Sequence, residues 1–372
     1  MRRAGWVGLM LLIASSLRAA VPVVQVTEYR KRVIYHSPQI PGYTSWCTLW
    51  RDEPSGDLHV AFEQVTGPVK NVAGRKNVTA ILTSTDEART WKLTREVAAR
   101  PTKPSADGDI YAAPVSTAFC GHGLVSLPDR TLVTGLWGVG KGDTGFVQRS
   151  TDGGESWSGP IYLADSAKYL TWPTVIHRLR DGRLILMAGV VELQKDRSPR
   201  SGDMVKGMFE SRDEGKTWSK PIWIMPKKDG VCEESDFVEL DSGDLLFIHR
   251  TEHYDAAGKY IDSVRTQSIV KRVGDGWEPG VVTAVPMPHS GFPELLKTRE
   301  GIILHVGTDG IWFTPADLST WTRLPIEGAG YYPRAMQLKD GRILVVGHVG
   351  SDDVYGKVDQ AIVEQTFRLR VK

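Results

Sequence analysis

Ser150-Thr151-Asp152-Gly153-Gly154-Glu155-Ser156-Trp157 reads as a tight turn built to hold itself shut. An Asp at the third position can accept hydrogen bonds from the amides of its own loop, a Gly at the fifth tolerates the positive φ of a hairpin, and the Trp folds back over the strand pair. The same spacing recurs at Ser84-Thr85-Asp86-Glu87-Ala88-Arg89-Thr90-Trp91, with Ala88 in the Gly position, and at Ser211-Arg212-Asp213-Glu214-Gly215-Lys216-Thr217-Trp218. A worn copy ends at Thr320-Trp321, with Thr314 and Ala316 in the Ser and Asp positions, and Trp277 after Gly274-Asp275-Gly276 is placed to close another. The turn therefore divides the chain into units before it says anything about chemistry.

Between the turns runs a second pattern, an apolar run, a short turn and another apolar run, which marks a β-hairpin. Its copies span 48–62 around Ser55-Gly56, 124–136 around Pro128-Asp129, 175–188 around Asp181-Gly182, 237–248 around Ser242-Gly243, 295–306 around Glu300-Gly301 and 335–346 around Asp340-Gly341. Each is followed by a second strand pair, and no amphipathic helix pattern of useful length appears. A period of roughly 50 residues with four strands per unit predicts an all-β chain, a six-bladed β-propeller of four-stranded antiparallel blades occupying residues 21–372. Segments 23–35 and 361–371 are expected to meet in one sheet and close the ring, while the poorly marked stretch 264–285 leaves room for a seventh blade.

The chain has 372 residues, 41% hydrophobic and 24% charged, enough for one large all-β domain or two ordinary ones, and the repetition favours one. A net charge of +2 with scattered basic residues gives no reason to expect nucleic acid and leaves a substrate of either sign open. Arg2 and Arg3 precede an apolar run at 6–13 and small residues from Ala14, so residues 1–20 read as an export signal, too short to anchor, and a periplasmic or extracellular location is expected. No later segment is long and apolar enough to span a bilayer. Cys47, Cys120 and Cys232 lack metal-site spacing, so neither a metal nor another cofactor is expected. Export permits one disulfide, for which Cys47 and Cys120 are the better pair; packing as small buried hydrophobes is the other reading.

In a propeller the innermost strands ring a central channel, and their starts surround one mouth of it. Counting back from each hairpin turn puts Gly121, Pro173, Glu234, Phe292 and Tyr332 in equivalent places, with Gly123, Val175, Asp236, Glu294 and Arg334 two residues further on. Asp236 and Glu294 either face a ligand or are satisfied by a neighbouring blade.

The spacing S-x-D-x-G-x-x-W resembles the Asp-box repeat of the sialidase superfamily of β-propellers. In that family the boxes lie on blade turns away from the substrate, so Asp86, Asp152 and Asp213 are read as turn-holding residues. The stretch from Glu234-Ser235-Asp236 to Phe247-Ile248-His249-Arg250 is similar to the sialidase segment in which a Glu begins a strand and an Arg ends the next. The resemblance implies that Arg250 clamps a substrate carboxylate and that Glu234 polarises a Tyr nucleophile. Gly330-Tyr331-Tyr332 resembles the nucleophile strand, with Tyr332 in the better register. A phenol with a pKa of about 10 needs a neighbouring carboxylate to take its proton, and the planar fork of Arg matches a carboxylate.

Other positions depart from that family. The first core strand reads Tyr43-Thr44-Ser45-Trp46-Cys47-Thr48-Leu49, without the family's Arg; the loop 64–79 holds no Asp or Glu; the fifth unit reads Val306-Gly307-Thr308-Asp309-Gly310 where a third Arg is expected. Three readings follow for a glycan partner. The first is hydrolysis of a carboxylate-bearing sugar by Tyr332, Glu234 and Arg250. The second is β-elimination from a uronic acid by His122 or His348 with Tyr332 and Arg334. The third is binding alone.

Overall fold

The computed structural model describes residues 23–69, 74–98, 119, 123–138, 144–195, 204–225, 230–255, 257–289, 291–318, 320–350 and 355–372. Blade 1 is β2 (Tyr43–Arg51), β3 (Leu58–Thr66), β4 (Lys76–Ser84) and β5 (Lys92–Ala98). Blade 2 is β6 (Leu124–Ser126), β7 (Leu132–Leu136) and β8 (Phe146–Ser150), its fourth place taken by a single bridge from Val147 to Ile161. Blade 3 is β9 (Tyr169–Arg178), β10 (Leu184–Glu192), β11 (Val205–Ser211) and β12 (Ile222–Met225). Blade 4 is β13 (Val231–Glu239), β14 (Leu245–Tyr254), β15 (Tyr260–Val273) and β16 (Gly276–Pro279), with β17 (Thr283–Ala284) also on β15. Blade 5 is β18 (Glu294–Lys297), β19 (Ile302–Gly307), β20 (Gly310–Pro315) and β21 (Thr322–Arg323). Blade 6 is β22 (Tyr331–Gln337), β23 (Ile343–Val349), β24 (Ala361–Val371) and, outermost, β1 (Val24–His36).

The expected hairpins are the inner strand pairs of the six sheets. Residues 264–285 go to the outer strands of blade 4, so the room left for a seventh blade is used by a long β15 and its two partners. The inner strands β2, β6, β9, β13, β18 and β22 each touch the next, and β22 touches β2. Closure works as expected: β1 pairs antiparallel with β24 from Val24↔Val371 to His36↔Ala361, so first and last strands share a blade and no open edge remains between them. No helix among the described residues is long and apolar enough to cross a membrane.

The core lies between blades. Val175 and Met187 of blade 3 pack with Phe237, Phe247 and Val270 of blade 4, while Leu58, Val60 and Phe62 of blade 1 pack with Leu344 and Val346 of blade 6. Burying each such side chain contributes on the order of 1.5–3 kcal/mol, and because the contacts cross blades they stabilise the ring rather than one sheet. Cys47 belongs to the blade 1–blade 6 cluster, where burial pushes its thiol up to about 12. Cys120 and residues 1–20 lie outside the described residues.

The turns close as their composition dictates. In the third box the Ser211 hydroxyl accepts the Gly215 amide at 2.8 Å, and Asp213 accepts the Thr217 amide at 2.9 Å and its hydroxyl at 2.6 Å. Gly154 takes φ +87°, and a Cβ there would stand 2.1 Å from the Phe119 ring; Ala88 accepts the same left-handed conformation at +60°. Several closing Trp residues then reach the third strand of the preceding blade. Trp91 donates to Glu364 at 2.6 Å, Trp277 to Glu210 at 2.7 Å and Trp321 to Gln267 at 2.8 Å.

Candidate functional site

The inner strands are not regular where they approach the mouth. Register slips at Ser45/Thr48 in β2, at Cys232/Glu234 in β13 and at Tyr331/Arg334 in β22 mark bulges, which re-aim side chains out of the ladder. By register Trp46 of blade 1 is the counterpart of Tyr332 of blade 6, and both are non-glycine residues in the left-handed region, at φ +55° and +46°. Their rings meet edge to face with centroids 6.4 Å apart. Phe292 of blade 5 lies 6.4 Å from Tyr332 on another side, and His348 lies 6.0 Å away.

Facing this aromatic group is the charged pair of blade 4. Arg250 Nη1 donates to Glu234 Oε2 at 3.0 Å across β13 and β14, and the Arg250 side chain keeps 33% of its surface exposed. Burial lowers the Arg250 pKa, but Glu234, then Tyr332 and Glu252, outweigh it and the net shift is upward. The Tyr332 hydroxyl thus contributes to the electrostatic surroundings of the Arg250 guanidinium, the only link among Glu234, Arg250 and Tyr332 besides the Glu234–Arg250 bond that the described residues show.

Arg265 on β15 lies behind Arg250, 1% exposed, and donates to the carbonyls of Pro288, His289 and Gly291 at 3.2, 3.1 and 3.0 Å. Burial lowers it to about 10, which still leaves it charged at neutral pH. It fixes the connection between blades 4 and 5, and so holds His289 at the site. Burial, and then Arg250 and Arg265, push the His289 pKa down and favour its neutral form.

Two residues deeper the polar ring is a set of joints, not a ligand surface. Asp236 is 0% exposed; its Oδ1 is 2.7 Å from His177 Nε2 of blade 3 and accepts its neighbour Phe237's amide, and its Oδ2 accepts the Leu295 amide of blade 5 at 2.6 Å. Glu294 repeats the device, accepting the Ala335 amide of blade 6 at 2.8 Å and Arg334 Nη1 at 3.2 Å. Arg334 in turn lies over the Phe292 ring at 4.4 Å. Of the two readings of Asp236 and Glu294, the contacts are those of the second, satisfaction by a neighbouring blade, and Arg334 is engaged with Glu294 in the same layer. Each carboxylate accepts an amide of the next inner strand and rivets adjacent blades. Burial lifts Glu294 to about 7, against Arg334 and with Asp236.

The expectation for His348 is corrected. It is fully buried, accepts the Trp46 amide on Nδ1 at 3.3 Å, and burial lowers it to about 4, so it backs the aromatic pair and does not present a base to the channel. His122 lies outside the described residues. Sequence reasoning did not select Trp46 or His289. Trp46 was visible only as the place lacking an Arg, and the position of His289 depends on Arg265, distant in sequence.

Neither a protein-family model nor a curated protein sequence matches the chain. Solved structures share its fold at low identity. A GH93 α-L-arabinofuranosidase of Fusarium graminearum, solved with arabinobiose, superposes with a TM-score of 0.61 at 14% identity over 91% of this chain and 98% of its own. The intramolecular trans-sialidase from Ruminococcus gnavus gives 0.55 at 12% identity over 90% and 96%. A PL25 ulvan lyase gives 0.52 at 10% identity over 86% and 78%. The resemblance to sialidases is thus one of fold alone, and the solved structures that this chain resembles carry different chemistries.

Proposed function

We propose that the protein is a carbohydrate-active propeller acting as a glycoside hydrolase, exported as residues 1–20 imply, with Tyr332 and Glu234 at the reacting carbon and Arg250 beside them. One observation supports the reading: Tyr332, presented by a positive-φ bulge of blade 6, acts electrostatically on the Arg250 guanidinium that is bonded to Glu234 in blade 4. Backbone strain of this kind costs on the order of 1–3 kcal/mol and gathers at sites of function. In the proposed reaction Tyr332 Oη attacks the anomeric carbon as Glu234 takes its proton, and the bond to the leaving oxygen breaks. Water then cleaves the tyrosyl–sugar bond and the phenol recovers its proton. An aryl leaving group departs without protonation, so aryl glycosides test this step alone.

A panel including an aryl sialoside and an aryl α-L-arabinofuranoside is expected to release phenol, and Tyr332→Phe to lower kcat/KM by about a hundredfold or more with Tm unchanged. Full activity in Tyr332→Phe removes the tyrosine from the mechanism; silence from every aryl glycoside removes hydrolysis. A second reading is β-elimination from a uronic acid, with His289 as the base, its neutral form favoured by burial and by the nearby Arg250 and Arg265 charges. New absorbance near the ultraviolet edge on incubation with uronic-acid polymers distinguishes it, because elimination leaves an unsaturated sugar.

A further inference from the structure

We infer that the mouth takes an uncharged sugar, one without a carboxylate, seated against Trp46. The inference rests on the carbohydrate reading above and adds the class of sugar. It reverses what the sequence resemblance implies for Arg250, and two independent features carry it.

The first is how the arginines are used. A carboxylate-bearing sugar needs an accessible guanidinium whose charge the protein's own carboxylates have not already balanced. Arg250 gives Nη1 to Glu234 at 3.0 Å and leaves Nε without a partner among the described residues, but Glu234 and then Glu252 already surround its charge with negative charge. Arg265 is buried and spends donors on three backbone carbonyls. Arg334 is buried between Glu294 and the Phe292 ring. A substrate carboxylate reaching Arg250 arrives beside Glu234, and two like charges at that separation repel each other strongly. A sugar hydroxyl meets no such opposition, since the Arg250–Glu234 pair offers it both donors and an acceptor.

The second is Trp46. Blade 1 spends the same strained, left-handed bulge on presenting an indole that blade 6 spends on presenting Tyr332, and the two rings pack edge to face beside the opening. Trp46 is only half-buried, and its backbone amide is fixed on His348 Nδ1. An indole at this place supplies an apolar surface for the C–H face of a sugar ring and no charge for a carboxylate.

The test measures binding to the full chain carrying Tyr332→Phe, which prevents turnover, by calorimetry with neutral pentose and hexose oligosaccharides against glucuronic- and sialic-acid-containing ones of equal length. Neutral sugars are expected to bind at least about tenfold more tightly, Trp46→Ala to lose about tenfold or more, and Trp46→Phe to recover most of that loss. Circular dichroism and Tm of both variants separate lost binding from lost fold. Tighter binding of acidic sugars, undiminished neutral binding in folded Trp46→Ala, or no sugar binding at all overturns the inference. Tight Trp46-dependent binding of neutral sugars without phenol release from neutral aryl glycosides leaves the inference standing and removes only hydrolysis.

Discussion

Glu294 shows how far a single side chain can be read from its position. Its register, two residues past the mouth, follows from counting back along the hairpin, whereas its role depends on partners in another blade, forty and forty-one residues away. Burial raises it from an ordinary 4.5 to about 7. Between those two values the native state holds a proton that the unfolded chain has released, so the contribution to stability is full at acid pH and lost as pH rises through the folded pKa. Thermal unfolding followed from about pH 5 to about pH 8 should therefore show the Tm of the native sequence falling relative to that of Glu294→Gln, whose amide is neutral throughout and which carries the same buried histidines. Equal slopes would show that Glu294 is ionised in the fold. Trp46 makes the opposite point. Its importance comes from a two-residue bulge, and nothing in the composition of Tyr43-Thr44-Ser45-Trp46 announces a register slip.

Among the elements, the turns were the most legible, because the Ser and Asp bonds that close them join residues within four positions of each other. Asp213→Ala removes the acceptor for the Ser211 hydroxyl and for the Thr217 amide and hydroxyl. It is expected to cost about 1–2 kcal/mol, read as a lower urea midpoint at constant m-value, with sugar binding intact. A loss of binding at unchanged stability would instead place this turn in the site. Strand pairs were legible for a related reason: each hairpin brings together residues close in sequence, as the pairing of Glu234 with Arg250 across β13 and β14 shows. The connection holding His289 was not, since Arg265 pins it from the far side of a strand pair.

For the molecule as a whole, apolar clusters spanning neighbouring blades make the ring one cooperative body, and it is sealed where β1 pairs with β24. At that seam Val23 and Lys372 exchange backbone hydrogen bonds at 3.0 and 3.2 Å. The order in which the strands are connected is therefore separable from the arrangement they reach. A circular permutant that links residue 372 to residue 23 through a short spacer and starts anew in the exposed β-turn around Gly258 should fold to the same ring, whereas deleting residues 24–36 should leave β24 as a raw edge and give aggregates in size-exclusion chromatography. If the permutant fails while the deletion survives, the seam is ornamental; if it succeeds, a reporter domain could be placed at this junction, which lies at the opposite end of blade 6 from the sugar-facing mouth.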